Sequence, residues 1–476
     1  MSVLLYGFYD STTWEIMRRG LDVRVWVRPG GQKSALHQRL LNDDVGQVRI
    51  IKGRQFIEEV CEDDISHILP AELYEQLRTA AFHAFMRCHA RRYQCRIFRR
   101  EFVFHEHMFM LFATRAYSLL KKHGISLLAF AQVPHKGSDI VMYHLARLMG
   151  LTTILCLQNP ALGVDYFTLV SGVEDIGVHA NGLPRDPLPV DCAPPTRKPF
   201  YTQCYRHKYR HATKELMQAI GSTAKAFLTL RSAYSRRTAV DKVCRATRRL
   251  RYLRYTPAQA APAEQIERLV ADSVPYVYVP LHLEPEMVID VLGGRYREQA
   301  LFVKKLRERL PEDVHIIVKD NPAQTSFARD DAFYRTITAL PNVHFLKEDM
   351  DTFKLIEGAL AVAAVLGTAG WEALRHGKPV IVGGHAWYGG LPGVYRVDDV
   401  RYEDLSAFTF SPERLQKAAR EMSRHYRRGI PAEIEYYATA LGGLDKQANA
   451  RSVAADIVEY AHFLLRSKAG GNSHVQ

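Results

Sequence analysis

Two patterns of hydrophobic positions alternate along most of this chain. Short continuous apolar runs, such as "SVLLYGFYD" and "TTILCLQNP", are typical of buried strands, whereas the spaced apolar positions of "DIVMYHLARLMG" are typical of a helix packed on one side. The opening residues predict strand, helix and strand in that order. Residues 70–124 contain no Gly or Pro between Pro70 and Gly124, which predicts one or two long helices. The first half is therefore predicted to be a βα domain with a helical insertion.

The second half alternates more regularly. Apolar strands are predicted at "YVYVPLHL", "HIIVKD", "VHFLK", "LAVAAVLG" and "PVIVGG", separated by predicted helices at 297–310, 331–339, 351–359 and 370–377. Continuous apolar strands between amphipathic helices indicate a parallel sheet covered on both faces. The fold class predicted for the chain is α/β, with two Rossmann-like domains.

The boundary between the domains is predicted from composition. The segment "TPAQAAPAEQ", residues 256–265, is rich in Ala and Pro, which is typical of an exposed linker. The predicted domains are an N-terminal domain at 1–265 with the insertion at about 70–124, a C-terminal domain at 266–430, and C-terminal helices at 431–476 that pack back on the first domain.

Charge favours anionic partners. The 64 Lys and Arg outnumber the 51 Asp and Glu, giving a net charge of +13, and residues 235–255 alone carry eight Lys or Arg. That segment is predicted either to face an acidic membrane or glycan, or to be a solvated basic helix face. Seven cysteines without a CxxC pair, and a first segment without the basic start of a signal peptide, predict a cytoplasmic protein without membrane spans.

Three segments of the second domain follow predicted strands, where ligands of open parallel sheets bind. They contribute a first pair, His282 and Glu286, and a second pair, Lys319 and Asn321. The third segment is a glycine-bounded turn that opens a helix: Gly367, Thr368, Ala369, Gly370 and Glu372. Free N–H groups at a helix start favour a phosphate, and Glu372 is suited to accept hydrogen bonds from ribose hydroxyls. The alternatives are an ordinary βα turn whose acid complements the helix dipole, and a simple strand-ending "KDNP" turn.

Two further segments carry candidate residues. In "GGHAWYGG", Trp387 and Tyr388 are predicted to form a mobile stacking or lid element, the alternative being a small satellite core. In "QVPHKGSD", His135 and Asp139 follow a strand of the first domain and are the predicted catalytic residues, as base or orienting groups. For Asp139 the alternative is a helix cap.

The sequence lacks the motifs that are typical of several other kinds of catalytic site. "HEHMF" places its histidines two residues apart, so they do not share a helix face as the ligands of HExxH do. The chain contains neither the P-loop GxxxxGK[ST] nor GxSxG. We therefore expect no dedicated metal and no cofactor.

The residues of the second domain resemble a known family. "YVYVPLHLEPE", "LPNVHFL" and "GTAGWEALRHGKPVIVGGHAWYGGLPGV" are similar to the C-terminal half of bacterial glycosyltransferases of capsule and surface-polysaccharide biosynthesis, specifically over about 276–394. The resemblance implies a GT-B architecture, with two Rossmann-like domains facing a cleft, and no metal requirement. Some relatives transfer Kdo from CMP-Kdo and contact the nucleotide through a K-x-H-P turn; here Asn321 stands in place of its His.

The expected function is transfer of a sugar from a nucleotide-activated donor, with CMP-Kdo as one candidate, to a growing capsular, O-antigen or related glycan or lipid-linked glycan. A sugar-nucleotide epimerase of the same fold is one alternative. A non-catalytic anion-binding or glycan-binding protein is another and would equally account for the positive charge. For the transferase, peripheral contact with the inner-membrane surface or with polysaccharide assembly machinery is expected, and no nucleic acid partner is expected.

Overall fold

The computed structural model describes residues 2–28, 48–52, 66–90, 101–178, 182–195, 208–228, 240–252 with gaps, 255–284, 286, 288–321, 324, 329–347 and 350–471. The strands, in chain order, are β1 (Ser2–Tyr6), β2 (Asp22–Arg28), β3 (Arg49–Lys52), β4 (Leu127–Phe130), β5 (Thr152–Gln158), β6 (Tyr166–Val170), β7 (Tyr276–Pro280), β8 (His315–Lys319), β9 (Val343–Leu346), β10 (Ala361–Ala364), β11 (Val380–Val382), β12 (Val394–Arg396) and β13 (Tyr426–Arg428).

The helices alternate with these strands. In chain order they are α1 (Asp10–Arg18), α2 (Ala71–Ala90), α3 (Phe102–Lys122), α4 (Ser138–Leu148), α5 (Lys208–Leu228), α6 (Ala263–Ala271), α7 (Gln299–Arg309), α8 (Asp331–Thr338), α9 (Thr352–Gly358), α10 (Thr368–Arg375), α11 (Tyr402–Ser406), α12 (Pro412–Ser423), α13 (Ile434–Ala440) and α14 (Lys446–Gly471). A short π-helical turn, Val288–Leu292, lies between β7 and α7.

The first sheet has seven strands in the order β13-β6-β5-β4-β1-β2-β3. The pairs among β3, β2, β1, β4 and β5 are parallel, whereas β6 and β13 pair antiparallel at one edge. The chain runs outward from β1 to β3 and returns through β4 on the other side of β1. The two strands between which the direction of winding reverses are therefore β1 and β4, and the crevice at their carboxyl ends is the usual ligand position in such sheets.

The second sheet has six strands in the order β12-β11-β10-β7-β8-β9 and is parallel throughout. Its central strands are buried apolar runs, because helices cover a parallel sheet on both faces. Here the winding reverses between β7 and β10. The predicted α/β class with two Rossmann-like sheets is confirmed, and α2 and α3 form a helical insertion between β3 and β4.

Chain contacts divide the molecule into two compact units. The first contains the described residues of Met1–His89, Phe102–Asp191 and Glu413–Gln476, and the second those of Ala90–Glu101 and Cys192–Pro412. This division differs from the predicted boundary at residue 265, which falls inside α6. Just before α6, the predicted linker bonds to the second sheet, since the Ala261 N–H donates to the carbonyl of Phe345 at 2.7 Å. Backbone pairing of this kind needs no large apolar side chains, so composition did not reveal it.

The C-terminal helix belongs to the first unit. Its apolar positions, including Val453, Ile457 and Leu464, pack in one core cluster with strand residues such as Val3 and Leu5. The edge strand β13 was not predicted from the sequence. No helix in the described part of the chain is both long and apolar enough to cross a membrane.

Candidate functional site

The segments predicted to meet in the second domain follow adjacent strands. Residues 281–286 follow β7, residues 320–321 follow β8, and residues 365–370 follow β10. Because these three strands are neighbours and parallel, with Pro280 of β7 paired to Lys319 of β8, the segments share one edge of the sheet. The crevice between β7 and β10 is the reversal point of this sheet and hence its expected ligand position.

Helix α10 begins at this crevice. Its N-cap is Gly367, whose φ of +141° lies in the region that favours glycine, and no side chain caps the helix. The Gly370 N–H donates back to the Gly367 carbonyl at 3.2 Å. The first N–H groups of a helix have no partner within it, so Thr368 and Ala369 present an uncapped, positive helix end. This is the geometry in which helices bind phosphate.

Glu372 lies two positions deeper in its helix than the sequence predicted. The helix begins at Thr368 and not near Gly370, so Glu372 is its fifth residue and falls outside the first turn. Its side chain is buried. Its charge contributes to raising the pKa of the Tyr388 phenol above the usual range, after burial as the main cause.

His282 is buried at the end of β7 and is held in one protonation state. The Leu366 N–H donates to its Nε2 at 3.1 Å, so that nitrogen carries no proton and the neutral ring has its proton on Nδ1. Burial, together with the charge of Arg329, lowers the pKa of His282 to about 3. At neutral pH the ring is therefore an uncharged Nδ1–H donor beside the start of α10.

Glycine is required at positions 367 and 370 because neighbouring side chains lie very close to the backbone there. A Cβ built on Gly367 would lie 2.6 Å from Cε1 of His282, and one on Gly370 would overlap the hydroxyl of Tyr388. That hydroxyl donates to the Gly367 carbonyl at 2.7 Å. The structure thus brings together His282, Gly367, Gly370 and Tyr388, four of the residues predicted from the sequence.

The two aromatic residues of the "GGHAWYGG" loop have different environments. Tyr388 is fully buried and closes the turn before α10, so it does not have the exposure of a lid. Trp387 is half-buried and meets the buried Trp371 of α10 with ring centroids 5.3 Å apart. Trp387 is therefore the member of the pair that presents a ring surface near this helix for stacking.

Lys319 points to another part of the second unit. Its ammonium is buried and donates to the Met350 carbonyl at 2.6 Å and to the Thr352 hydroxyl at 3.1 Å, at the start of α9. Asn321 donates from its side-chain amide to the Leu281 carbonyl at 3.1 Å and joins the β7 and β8 loops. Glu286 is half-buried in the β7 loop.

A buried charged cluster beside these residues was missed in the sequence. Arg329 pairs with Asp320 at 3.0 Å and with Glu284 at 3.3 Å, and it donates to the carbonyl of His282. Asp320 also accepts from Lys347 at 2.7 Å and from the Tyr252 hydroxyl at 2.6 Å. Glu284 lies inside the quoted "HLEPE", but no spacing connects it with Arg329, which is brought close only by folding.

The candidate residues of the first unit lie at the reversal point between β1 and β4. Asp139, in the first turn of α4, is buried and accepts the backbone N–H groups of His135, Lys136 and Ile140 at 2.6–3.0 Å. His135 is half-buried, and its Nδ1 lies 2.8 Å from the carbonyl of Val133. A carbonyl can only accept, so Nδ1 carries the proton and Nε2 is left as the basic nitrogen.

Two predictions concern residues with little or no described structure. The basic segment 235–255 is described only in part, and residues 235–239, 241, 245, 248 and 253–254 lie outside the described residues. The same is true of Pro322 in the "KDNP" turn.

Within the described ranges, no three His, Cys, Asp or Glu side chains come together as a metal ion would require.

A family model described as "Capsule polysaccharide biosynthesis protein" matches residues 174–421, which is more than half of the chain. No curated protein matches it by sequence. The matched residues include the whole second sheet and every candidate residue of the second unit.

Several solved structures are similar over much of the chain. The "beta Kdo 2,7 transferase" of Thermosulfurimonas dismutans KpsC is 12% identical with a TM-score of 0.28, covering 66% of this chain and 82% of its own. The "beta Kdo 2,4 transferase" of the same protein is 14% identical with a TM-score of 0.29, covering 70% and 88%. The S. aureus MnaA–UDP structure is 8% identical with a TM-score of 0.24, covering 98% and 96%.

Proposed function

The chain belongs to the capsule polysaccharide biosynthesis protein family, and on this basis we propose that it is a glycosyltransferase of GT-B type. It would move a sugar from a nucleotide-activated donor to a growing capsular, O-antigen or related surface glycan. The donor would bind in the second unit, at the reversal point between β7 and β10. CMP-Kdo is the donor to test first, because the resemblance described above includes enzymes that use it.

The observation that carries the proposal is the uncapped start of α10 beside a neutral His282. Gly367 is the N-cap and offers no capping side chain, so the helix end is open to an anion. The Nδ1–H of His282 supplies a directed, uncharged hydrogen-bond donor at the same place. Thr368 and Ala369 would hold the phosphate, while Glu372 and Trp387 would contact the ribose and base.

Catalysis would use the same helix end. When the bond between sugar and nucleotide breaks, negative charge develops on the departing phosphate, and fixed N–H dipoles stabilise it without rearrangement. We therefore propose that transfer needs no metal ion. His135 would act as general base through Nε2, taking the proton of the acceptor hydroxyl, while Asp139 orders the loop that carries it.

The first experiment is a thermal-shift screen with CMP, UDP, GDP and their sugars. A ligand that binds only the folded protein raises its melting temperature. We expect one nucleotide class to do so, and the increase to be lost in Glu372→Gln but kept in Glu357→Gln, an exposed acid of the same unit. The alternative is a protein that binds only polymeric anions, with an affinity that is unchanged in Glu372→Gln and decreases as salt is added. This result would favour a non-catalytic binding protein instead.

A second experiment separates transferase from epimerase. The protein is incubated with the labelled sugar nucleotide found in the screen, with and without a lipid-linked glycan acceptor. Label appearing in the acceptor supports the proposal, whereas interconversion of free sugar nucleotides without transfer contradicts it. We place the reaction at the cytoplasmic face of the inner membrane, in line with the net charge of +13, and cell fractionation at low and high salt tests this location.

A further inference from the structure

A second layer of charged residues lies behind the candidate donor site. Arg329 is almost completely buried, with 1% of its side chain exposed, and its two carboxylate partners, Glu284 and Asp320, are 7% and 3% exposed. Its guanidinium lies 3.0 Å from Asp320 Oδ1 and 3.3 Å from Glu284 Oε2. It also donates to the carbonyl of His282. One side chain thus connects the loops that follow β7 and β8.

These contacts continue to the start of α10. Arg329 holds the His282 backbone, Gln299 accepts the His282 N–H at 2.7 Å, and the His282 ring accepts the Leu366 N–H at 3.1 Å. Leu366 immediately precedes Gly367, the N-cap of α10. An unbroken series of buried contacts therefore runs from Arg329 to the helix end that is proposed to bind phosphate.

The cost of burying these charges argues against a purely stabilising role. Taking the two charges of an ion pair out of water is costly, and apolar residues of similar volume often give equal or greater stability. The cluster stands at the ligand edge of the sheet, and each buried charge has a fixed partner: Asp320 is shared by Arg329 and Lys347, and Glu284 also accepts from Gln299 at 2.7 Å. Directed contacts of this kind fix backbone geometry more tightly than apolar packing does.

From this geometry we infer that Arg329 is a positioning residue of the donor site. It fixes the position of His282, and through His282 the position of the start of α10, without touching the ligand itself. The inference rests on the proposed function for its effect on nucleotide binding, but its effect on the His282–Leu366 hydrogen bond is independent of any ligand.

The test uses two variants of the full chain and one matched control. Arg329→Lys keeps the charge but loses the forked geometry. Arg329→Met combined with Glu284→Gln removes both charges of one pair, so that it leaves Asp320 paired with Lys347 and avoids an uncompensated buried carboxylate. The control is Arg307→Met. Arg307 is also buried, but it donates to the Val314 and Leu310 carbonyls at 2.6 and 2.9 Å, just before β8 at the opposite edge of the sheet.

The ligand-free readout is amide hydrogen exchange of the peptide containing Leu366. We expect exchange there to accelerate about tenfold in both Arg329 variants and to stay at the wild-type rate in Arg307→Met, because only the former release His282. Equal exchange in all variants that fold would overturn the inference. Arg329→Lys is retained as the milder variant, so the result does not depend on the double variant folding.

The second readout is the dissociation constant of CMP and of UDP, measured well below each melting temperature. We expect it to rise about tenfold in the Arg329 variants but not in Arg307→Met, even where the control lowers the melting temperature as much. A wild-type protein that binds none of CMP, UDP and GDP would contradict the proposed function, while the exchange result still decides the inference. Wild-type affinity in the Arg329 variants would overturn the inference and leave the proposed function standing.

Discussion

The backbone N–H of Leu366 donates to Nε2 of His282 at 3.1 Å, and this bond joins the ends of β10 and β7 across the reversal point of the second sheet. It fixes the tautomer of a buried imidazole and leaves the Nδ1–H as the ring's donor. The same ring lies so close to Gly367 that no other residue fits there without a shift. This hydrogen bond therefore fixes the tautomer and the orientation of the His282 ring, which is proposed to contact the ligand, and the ring in turn requires glycine at position 367.

This bond predicts how stability depends on pH. The pKa of His282 falls from 6.5 to about 3 on folding, so below pH 6.5 the unfolded chain takes up a proton that the folded protein does not. The contribution of His282 is therefore complete above pH 6.5 and is lost as the pH falls toward 3. Between these values the free energy of unfolding should fall by about 1.4 kcal/mol per pH unit for this one group.

Urea unfolding at several acidic pH values measures this slope. Other histidines with lowered pKa values, such as His315 and His344, add to it, so the comparison is with His282→Gln. The variant should be less stable at neutral pH, with a slope smaller by about 1.4 kcal/mol per pH unit. Identical slopes in the two proteins would show that His282 is charged or exposed in the folded state.

Gly367→Ala is expected to damage the site through both its backbone and its new methyl group. A positive φ costs a non-glycine residue about 1–3 kcal/mol, and the Cβ would also press on Cε1 of His282. Gly294→Ala is the control, since its φ is +56° and a Cβ there meets nothing within 4 Å. Calorimetric titration with the nucleotide found in the screen should show weaker binding only for Gly367→Ala. Equal affinities in the two variants would show that this turn is not part of the donor site.

Lys319→Met is expected to affect stability more than nucleotide binding. The ammonium already donates to the half-buried Met350 carbonyl and Thr352 hydroxyl, and loss of a hydrogen bond from a charged donor costs about 1.5–3 kcal/mol. Thr352→Val, which removes one of these contacts, should lower the melting temperature by less. If Lys319→Met reduced nucleotide affinity and its salt dependence while the melting temperature stayed constant, the lysine would instead contact the phosphate.

His135→Gln is expected to slow sugar transfer without weakening donor binding. Loss of a general base lowers turnover by roughly 10²–10⁴-fold, while the donor contacts proposed here belong to the second unit. The measurements are the turnover number with a saturating glycan acceptor and the nucleotide dissociation constant. His144→Gln, on the neighbouring helix α4, serves as the comparison. Turnover near the wild-type value would remove His135 from the catalytic role.

The sequence was most informative where pattern and strand order agree. Continuous apolar strands alternating with amphipathic helices predicted the second sheet almost element by element. They also identified which loops share its carboxyl edge, because parallel strands all end on the same side. Gly367 and Gly370 were found for a local reason, since a tight turn before a helix needs residues without a Cβ, and the structure shows what each glycine makes room for.

Only the tertiary structure decided which of those residues meet. Lys319 and His282 end neighbouring strands, yet the lysine bonds at the start of α9 while the histidine bonds at the start of α10. Arg329 and Glu284 are 45 positions apart and form a pair that no local pattern reveals. The physical reason is the range of the interactions: hydrophobic periodicity and turn chemistry act over a few residues, whereas buried hydrogen bonds and ion pairs depend on how distant segments pack.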